Sequence, residues 1–155
     1  MIHNDLYNYN ETIFINCKLK IDIICRKHGK FKQTASDHLS GCGCPICNES
    51  KGEKQIRFFL ESKNINFIAQ MKFDDCKYKS NLFFDFFICD KNLCIEFDGE
   101  QHFIPVIYFG GDKIFKKVKK RDEIKNEYCK NNNIRLIRIR YDENIEEKLS
   151  ELFNI

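Results

Sequence analysis

Two apolar runs separated by a short polar connection constrain the fold of this chain most. The first covers residues 82–88 and is apolar on both faces except at Asp85, and the second covers residues 93–98. Side chains alternate between the two faces of a strand, so Glu96 and Asp98 share one face of the second run. A tight connection makes the runs an antiparallel pair and sets Asp85 across from Glu96 or Asp98. The sequence therefore predicts three carboxylates on one patch of a buried sheet.

Like charges in a buried sheet need a compensating positive charge, because burying unpaired carboxylates costs on the order of several kcal/mol. We expect a divalent metal ion, with Asp85 and Glu96 as ligands of Mg²⁺. Asp98 would hold a second ion or a metal-bound water, or would orient His102. The alternative for each single acid is a solvated strand residue or the partner of a nearby lysine.

The residues after the second run extend this pattern. Asp85, followed about ten residues later by Glu96-x-Asp98-Gly99-x-x-His102, resembles the PD-(D/E)XK nuclease superfamily. The similarity is to the branch that includes the very-short-patch repair endonuclease and related phage and homing endonucleases. The resemblance implies a metal-dependent phosphodiester hydrolase with an αβββαβ restriction-endonuclease-like core. Asp98 stands where the superfamily has a lysine, which leaves open whether Asp98 or His102 replaces it.

Other side chains are candidates for the same site. His102 has an imidazole that can accept or donate a proton near neutral pH, although a lone histidine after a strand is commonly a packing residue. Gln101 could position a water or contact the phosphate. Glu53 is either the capping-box partner of Ser50 or the first-helix acid that the resembling nucleases carry near the metal. The resemblance also suggests Asp122, on a later helix, as support for His102.

A second metal motif lies in the first third of the chain. Cys25-x-x-His28 is followed, fifteen residues later, by Cys44-x-x-Cys47. Two such pairs place four ligands around a tetrahedral zinc ion, and bound zinc supplies folding energy that a small core lacks. Four protein ligands leave no open position, so we expect a structural site. The rival ligands are His38, Cys42 and Cys17.

The zinc motif carries a resemblance of its own. Cys25-x-x-His28-Gly29-x-Phe31, together with His38-Leu39-x-Gly41-x-Gly43-Cys44-Pro45-x-Cys47, resembles the zinc module found ahead of nuclease domains in many phage-type proteins. We therefore expect a β-rich zinc-binding module of zinc-ribbon or treble-clef type at residues 1–50 and a nuclease domain at residues 51–155. Alternation at Ile13 and Ile15, and again at Ile21 and Ile23, predicts a short hairpin leading into Cys25.

Beyond residue 50, periodicity alone predicts the order of the elements. Ile56, Phe59 and Leu60 fall at the spacing of a core-facing helix that opens at Ser50. The further predicted elements are strands at 67–73, 82–88 and 93–98, a loop at 103–112, a helix at 115–131, a strand at 134–141 and a final amphipathic helix. The order helix, three strands, helix, strand, helix predicts an α/β core.

The composition, 43% hydrophobic and 32% charged, is that of a globular protein. An odd number of cysteines, nine, without a secretion signal argues against a disulfide framework. No apolar run is long enough to span a bilayer. We therefore expect an intracellular protein without a membrane partner. Four cysteines beside apolar segments are expected to be buried thiols: Cys76, Cys89, Cys94 and Cys129.

The basic residues are concentrated in one segment. Between Lys113 and Arg140 there are eleven lysines and arginines against three acids. Such a segment suits a polyanion, although a solvated helix face is the alternative. Contacts of this kind with the DNA backbone give affinity without reading sequence. The residues expected to contact DNA are Lys116, Lys117, Lys119, Lys120 and Arg121 on the helix, with Arg135, Arg138 and Arg140 on the following strand.

Together these features predict a metal-dependent DNA endonuclease with a homing, mismatch-nicking or restriction-like role. It would carry a structural Zn²⁺ and a catalytic Mg²⁺ and would act on double-stranded DNA, as a monomer or a homodimer. One alternative is a catalytically inactive zinc-finger DNA-binding protein on a nuclease scaffold. Another is a nuclease for RNA or branched DNA.

Overall fold

The chain divides into two compact units, Met1–Ser50 and Lys51–Ile155, each with its own sheet. The computed structural model describes residues 3–105, 107 and 111–155. The architecture is mixed α/β, with three strands in the first sheet and four in the second. In the part of the chain that is described, no helix has both the length and the apolar character needed to cross a membrane.

The N-terminal unit is built on a tight hairpin. β1 (Tyr7–Asn8), β2 (Lys20–Cys25) and β3 (Gly29–Thr34) form an antiparallel sheet in that order, and a short helix, α1 (Ala35–Leu39), follows. The β2–β3 pairing ends at Cys25↔Gly29. Gly29 has a φ of 76°, which glycine adopts without steric cost. The turn therefore projects Cys25 and the residues that follow it from one end of the hairpin.

The predicted strand at Ile13 and Ile15 is wrong. These side chains are 78% and 70% exposed and precede β2 in an irregular segment. Ile21 and Ile23 do lie in β2 and are buried. The core that they join is small: Tyr7, Ile21, Ile23, Cys25, Ala35 and Cys44. A core of this size, ending in cysteines, favours a metal ion as an additional source of stability.

The second unit has the element order that the periodicity predicts. Helix α2 (Lys51–Ser62) leads to the antiparallel strands β4 (Ile68–Lys77), β5 (Asn81–Ile88) and β6 (Leu93–Asp98). A 3-10 turn at Glu100–His102 follows β6.

The rest of the unit completes the sheet. Helix α3 (Gly111–Asn131) crosses over to β7 (Arg135–Arg140), which lies parallel to β6, and α4 (Ile145–Phe153) ends the fold. Helix α3 begins four residues before the predicted position. Of the predicted loop at 103–112, Val106 and residues 108–110 lie outside the described residues.

Two apolar clusters place a helical layer on each face of this sheet. One cluster joins α2 and α4 to Phe86, Leu93 and Ile95, and the other joins α3 to Phe84 and Cys94. Cys76, Cys94 and Cys129 are buried as predicted, whereas Cys89 is exposed because it lies in the turn after β5. The sheet is thus covered on both sides, and polar groups on its central strands have limited access to water.

Helix α2 approaches β6 closely at Gly52. A Cβ atom at this position would overlap the aromatic ring of Phe97. The glycine thereby allows the first turn of α2, which carries Glu53, to lie directly against the strand that carries Glu96.

Replacing Gly52 with alanine should lower the free energy of unfolding by about 1–3 kcal/mol, because the new methyl group must displace Phe97. The cost of displacing Phe97 should exceed the stabilisation of about 1 kcal/mol that alanine gives relative to glycine within a helix. Urea unfolding measures the change. Gln55→Ala, at an exposed position of the same helix, is the control and should stay within about 0.5 kcal/mol of wild type. A Gly52→Ala variant as stable as wild type would contradict the close approach.

Candidate functional site

Four side chains of the N-terminal unit converge at the end of the hairpin. Cys25, His28, Cys44 and Cys47 each offer one ligand atom, and these atoms all lie within 4.8 Å of one another. Cys25 comes from the end of β2 and His28 from the turn to β3. Tyr7 fixes the other pair, because its hydroxyl accepts a hydrogen bond of 2.7 Å from the Cys44 N–H.

The spacing of these atoms matches a tetrahedral zinc site. Zinc bonds of about 2.3 Å to sulfur and about 2.0 Å to nitrogen place neighbouring ligand atoms about 3.8 Å (S to S) and about 3.5 Å (S to N) apart. The Cys25 and Cys47 sulfurs are 3.8 Å apart. The His28 Nδ1 atom lies 3.7 Å from the Cys25 Sγ, 3.5 Å from the Cys44 Sγ and 3.3 Å from the Cys47 Sγ. The cluster could therefore hold zinc.

The rival ligands do not join this cluster. His38 lies at the end of α1, and its ring is buried with both nitrogens hydrogen-bonded. Its Nε2 is 2.8 Å from the Tyr9 hydroxyl, and its Nδ1 is 3.1 Å from both the Gln33 Oε1 and the Cys42 carbonyl oxygen. Cys42 and Cys17 are exposed. The burial of His38 is therefore explained by packing and hydrogen bonding alone.

In the second unit, the strand carrying Asp85 is irregular at that residue. The backbone pairs Ala69↔Phe86 and Met71↔Phe84 leave Gln70 opposite Asp85, and Gln70 has a φ of 51°. Phe84 and Phe86 consequently pack on opposite faces of the sheet, although a regular strand would place them on the same face. The alternation of side chains along this strand is therefore interrupted at Asp85.

This irregularity brings the Asp85 carboxylate onto β6. The pairs between β5 and β6 run from Ile88↔Leu93 to Phe86↔Ile95, and continuing the register by one residue places Asp85 opposite Glu96. The Phe97 N–H donates a 2.8 Å hydrogen bond to the Asp85 Oδ2.

Asp85 lies in a negatively charged environment. Burial, followed by the charge of Glu96 and then that of Glu53, raises the pKa of Asp85 to about 8, although the Phe97 N–H acts in the opposite direction. Glu53 is also 3.4 Å from the Gln70 amide nitrogen. At neutral pH the Asp85 carboxyl is therefore mostly protonated, and a cation placed beside it would favour its ionisation.

Glu96 is paired with a lysine, as the alternative for a single acid allowed, but the sequence did not indicate that this lysine is Lys125. Lys125 of α3 donates to both carboxylate oxygens, at 2.8 and 2.7 Å, and its ammonium group lies 5.1 Å from the centre of the Phe84 ring. Burial raises the pKa of Glu96, while the charge of Lys125 opposes that shift. The pair joins a strand and a helix that are 29 residues apart in the chain.

Asp98 takes part in a separate network with His102. The Arg138 guanidinium donates to both Asp98 oxygens, at 2.7 and 2.6 Å, and also to Asp122 at 2.7 Å. The other Asp122 oxygen is 2.9 Å from the His102 Nδ1. Burial would raise the pKa of Asp122, but its hydrogen bonds to His102 and Arg138 lower it below the ordinary value. Asp122 therefore remains ionised and orients His102.

The two acidic groups of this unit differ in their capacity for a metal ion. Asp98, His102 and Asp122 offer ligand atoms within 4.8 Å of one another. Their carboxylate oxygens are already bonded to Arg138 and His102, so this set needs no cation. Among the residues described, Asp85 and Glu96 do not form such a group with His102. His102 therefore belongs to a different cluster from Asp85 and Glu96, and the three side chains do not converge on one metal-sized site.

The remaining predicted residues occupy varied surroundings. The Gln101 amide folds back against Gly99. Lys120 pairs with Glu123 at 3.1 Å, and Lys119 lies over the ring of Phe103 at 5.5 Å. Of the five α3 residues expected to contact DNA, Lys116, Lys119, Lys120 and Arg121 are exposed, whereas Lys117 is half-buried.

One strand arginine is not available to nucleic acid. The prediction that Arg138 contacts the DNA backbone is wrong, since its guanidinium is occupied by Asp98 and Asp122. Arg140 is paired with Asp142 at 2.9 Å, and Arg135 is exposed.

A cavity of about 360 Å³ opens beside His102. It lies between the turn that joins β4 to β5 and helix α3, and its lining includes Lys79, Arg121, Asp122 and Lys125. A larger cavity of about 580 Å³, between α2 and the start of α4, contains none of the predicted site residues. The smaller cavity is therefore the concave surface next to the candidate chemistry.

Comparisons with known proteins identify similar sequences, but none of these has a described activity. The model of DUF723, a family of proteins of unknown function, matches residues 1–48. A segment of 66 residues, 41% of this chain, is 35% identical to an uncharacterized protein of Acanthamoeba polyphaga mimivirus. The match spans 24% of that relative's length. No solved structure matches the chain significantly.

Zinc content tests the cysteine–histidine cluster directly. We expect about one zinc per chain by atomic emission spectroscopy, because the four ligand atoms already have tetrahedral spacing. Cys44→Ser should lose the metal and lower the melting temperature. Cys42→Ser, which changes an exposed thiol outside the cluster, is the matched control. It should keep the zinc and the wild-type melting temperature. Wild-type protein without zinc after preparation in zinc-containing medium would contradict this assignment.

Stability should depend on pH through Asp85. Its pKa of about 8 in the folded protein, against an ordinary value of 3.8, means that the folded state binds more protons than the unfolded state between these values. In Mg²⁺-free buffer the free energy of unfolding should therefore fall as the pH rises through this window.

Asp85→Asn should make that fall shallower by up to about 1.4 kcal/mol per pH unit, since the amide does not titrate. Urea unfolding at several values between about pH 6 and pH 8 measures the slope. Asp74→Asn, at an exposed position of β4, should leave it unchanged. Identical slopes for wild type and Asp85→Asn would show that Asp85 titrates normally.

Proposed function

We propose that this protein is a metal-dependent endonuclease that hydrolyses phosphodiester bonds in DNA. The observation that carries the proposal is the placement of Asp85 and Glu96 on adjacent strands, with Glu53 of α2 acting on the same carboxyl group. Three acids from three elements meet there, and Lys125 donates to both oxygens of one of them, Glu96. Such an arrangement is unfavourable for a purely structural sheet and suits a site that receives a cation.

Asp85 and Glu96 would hold Mg²⁺, because carboxylate oxygens are its preferred protein ligands and one or two of them suffice. Bound Mg²⁺ neutralises phosphate charge and promotes ionisation of a water molecule. Glu53 adds negative charge to the site and thereby increases its affinity for a divalent ion. The Phe97 N–H holds one Asp85 oxygen in place, which limits the reorganisation needed on binding.

His102 is the proposed proton-transfer group. Asp122 accepts a hydrogen bond at the His102 Nδ1, so the Nε2 atom is left for transfer. Arg138 fixes Asp122 and Asp98 relative to each other. Asp98 is therefore proposed as a positioning residue and not as a metal ligand. His102, and not Asp98, would take the place of the lysine in the resembling nucleases for proton transfer.

The order of elements in the second unit supports a restriction-endonuclease-like core. A helix, three antiparallel strands, a crossover helix and a parallel fourth strand place Asp85 and Glu96 on the two central strands. In this proposal the N-terminal unit binds a structural Zn²⁺, and the exposed lysines of α3 contact the backbone of double-stranded DNA. A role in homing, mismatch nicking or restriction fits this chemistry.

The second candidate function is a DNA-binding protein without catalytic activity. It is favoured by the internal neutralisation of the acids, since Lys125 occupies Glu96 and Arg138 occupies Asp98. In that case Mg²⁺ would have no effect on the protein. Activity on RNA or branched DNA is a further variant of the nuclease proposal, and it is tested by the choice of substrate.

Cleavage assays with zinc-loaded protein on supercoiled plasmid, a branched DNA junction and RNA distinguish these functions. We expect Mg²⁺-dependent cleavage of DNA by wild type and a loss of at least about 10³-fold in Asp85→Asn, because one ligand of the cation becomes neutral. DNA binding by gel shift should be retained in the variant.

Asp74→Asn is the control for a change of charge on the same sheet, and it should cleave at the wild-type rate. Wild-type protein that binds DNA but never cleaves it with Mg²⁺ or Mn²⁺ would favour the non-catalytic function. Full activity in Asp85→Asn would exclude the proposed metal site.

A further inference from the structure

The cavity beside His102 has an excess of positive charge. Lys79, from the turn between β4 and β5, and Arg121 and Lys125, from α3, all line it. The carboxylate of Asp122 also lines it, but its two oxygens are taken by His102 and Arg138. Within the part of the chain that the structure describes, neither Lys79 nor Arg121 makes an ion pair. Lys79 and Arg121 are therefore cationic hydrogen-bond donors that no carboxylate of the described residues neutralises, and they can bind an anion in the cavity.

Lys125 connects this cavity to the acids of the sheet. Its ammonium group bonds to both oxygens of Glu96, and its side chain, 12% exposed, also forms part of the cavity wall. While Lys125 occupies both oxygens, Glu96 cannot offer a free oxygen pair to a cation. A lysine side chain has four rotatable bonds, so its ammonium group can turn from Glu96 toward an anion in the cavity.

We propose that this cavity is a phosphate-binding site and that Lys125 couples it to the metal site. A phosphate group bound by Lys79 and Arg121 draws the Lys125 ammonium away from Glu96, and Glu96 becomes free to bind a divalent cation. Phosphate and metal therefore bind cooperatively through one lysine. The identity of the phosphate as part of a nucleic-acid strand rests on the proposed function, whereas the binding of phosphate itself does not.

The surroundings of the site favour phosphate over a carboxylate ligand. Three cationic side chains from two elements surround one space. The His102 imidazole, whose Nδ1 is bonded to Asp122, adds a fourth donor when its Nε2 is protonated. A phosphate group presents several charged acceptor oxygens and can use all of these donors at once. The same side chains can bind a free phosphate ion or a phosphate of a strand, so the test includes both.

Calorimetric titration of zinc-loaded, Mg²⁺-free protein tests the site. Inorganic phosphate and a single-stranded thymidine tetranucleotide should each bind. Lys79→Met and Arg121→Met should each weaken binding about tenfold, because each removes a charged hydrogen-bond donor. Both positions are exposed, so these variants keep the fold.

Lys130→Met, which removes an exposed charge from the same helix outside the cavity, should bind phosphate like wild type. Binding of neither ligand, or equal affinity in Lys79→Met, Arg121→Met and wild type, would overturn the proposal. Binding of inorganic phosphate without the tetranucleotide would leave the phosphate site standing and exclude a nucleic-acid strand as its source.

The coupling through Lys125 is tested by Mg²⁺ titration with and without saturating phosphate. In wild type we expect phosphate to strengthen Mg²⁺ binding about tenfold, and in Lys125→Met this effect should disappear. Lys125→Arg, which keeps the positive charge, should retain part of the phosphate effect on Mg²⁺ binding. This variant is also the control for whether the position tolerates substitution. Coupling that persists unchanged in Lys125→Met would mean that phosphate acts on the metal directly, which would overturn the role of Lys125.

Failure of this site and failure of the proposed nuclease activity are distinguishable. Asp85→Asn should bind phosphate with wild-type affinity, since Asp85 does not line the cavity, even though it loses cleavage. A wild-type protein that binds phosphate cooperatively with Mg²⁺ but does not cleave DNA would retain the phosphate site and exclude the endonuclease.

Discussion

The burial of Glu96 in the central strands of the sheet is the constraint on which the second unit depends. Glu96 is 3% exposed, and its carboxylate points to the side of the sheet from which Lys125 of α3 reaches it. An unpaired charge at that depth would destabilise the fold by several kcal/mol or more, on the order of what removing one partner of a buried pair costs. Lys125 supplies the missing charge, so the docking of α3 and the neutralisation of Glu96 are one and the same interaction.

The same constraint divides the acids of this face into two sets with different chemistry. Asp98 and Asp122 are hydrogen-bonded by Arg138 and His102, so their carboxylate oxygens already have partners within the protein. Asp85 forms no ion pair among the described residues, and its burial and the charge of Glu96 raise its pKa to about 8. Asp98 and Asp122 orient the His102 imidazole, whereas Asp85 and Glu96 would be stabilised by a bound cation.

In the second unit the sequence predicted the order of helices and strands, because apolar periodicity is a local signal. The spacing of Cys25, His28, Cys44 and Cys47 is local as well, whereas β1, α1 and the irregular segment before β2 were not predicted. The partners of the acids were missed because Lys125 and the Arg138 guanidinium reach them only after the crossover from β6 to β7 has formed. A basic helix viewed without that crossover suggests a uniform DNA-binding face.

The irregularity at Asp85 is a second feature that local patterns could not supply. The irregularity depends on the left-handed conformation of Gln70 on the neighbouring strand, and the sequence of residues 82–88 does not indicate it. Its effect is to turn an acid toward the Phe97 N–H and Glu96 while apolar residues on either side still reach opposite cores. In a strand of strict alternation, Phe84 and Phe86 would lie on the same face of the sheet instead of on opposite faces.

Binding of a divalent cation by the carboxylates of Asp85 and Glu96 can be observed by anomalous diffraction from crystals soaked in Mn²⁺ together with a short DNA strand. We expect a manganese peak between Asp85 and Glu96, with the Lys125 ammonium group displaced from Glu96. A peak at Asp98 and Asp122 instead, or no manganese in the second unit while Lys125 stays on Glu96, would contradict it.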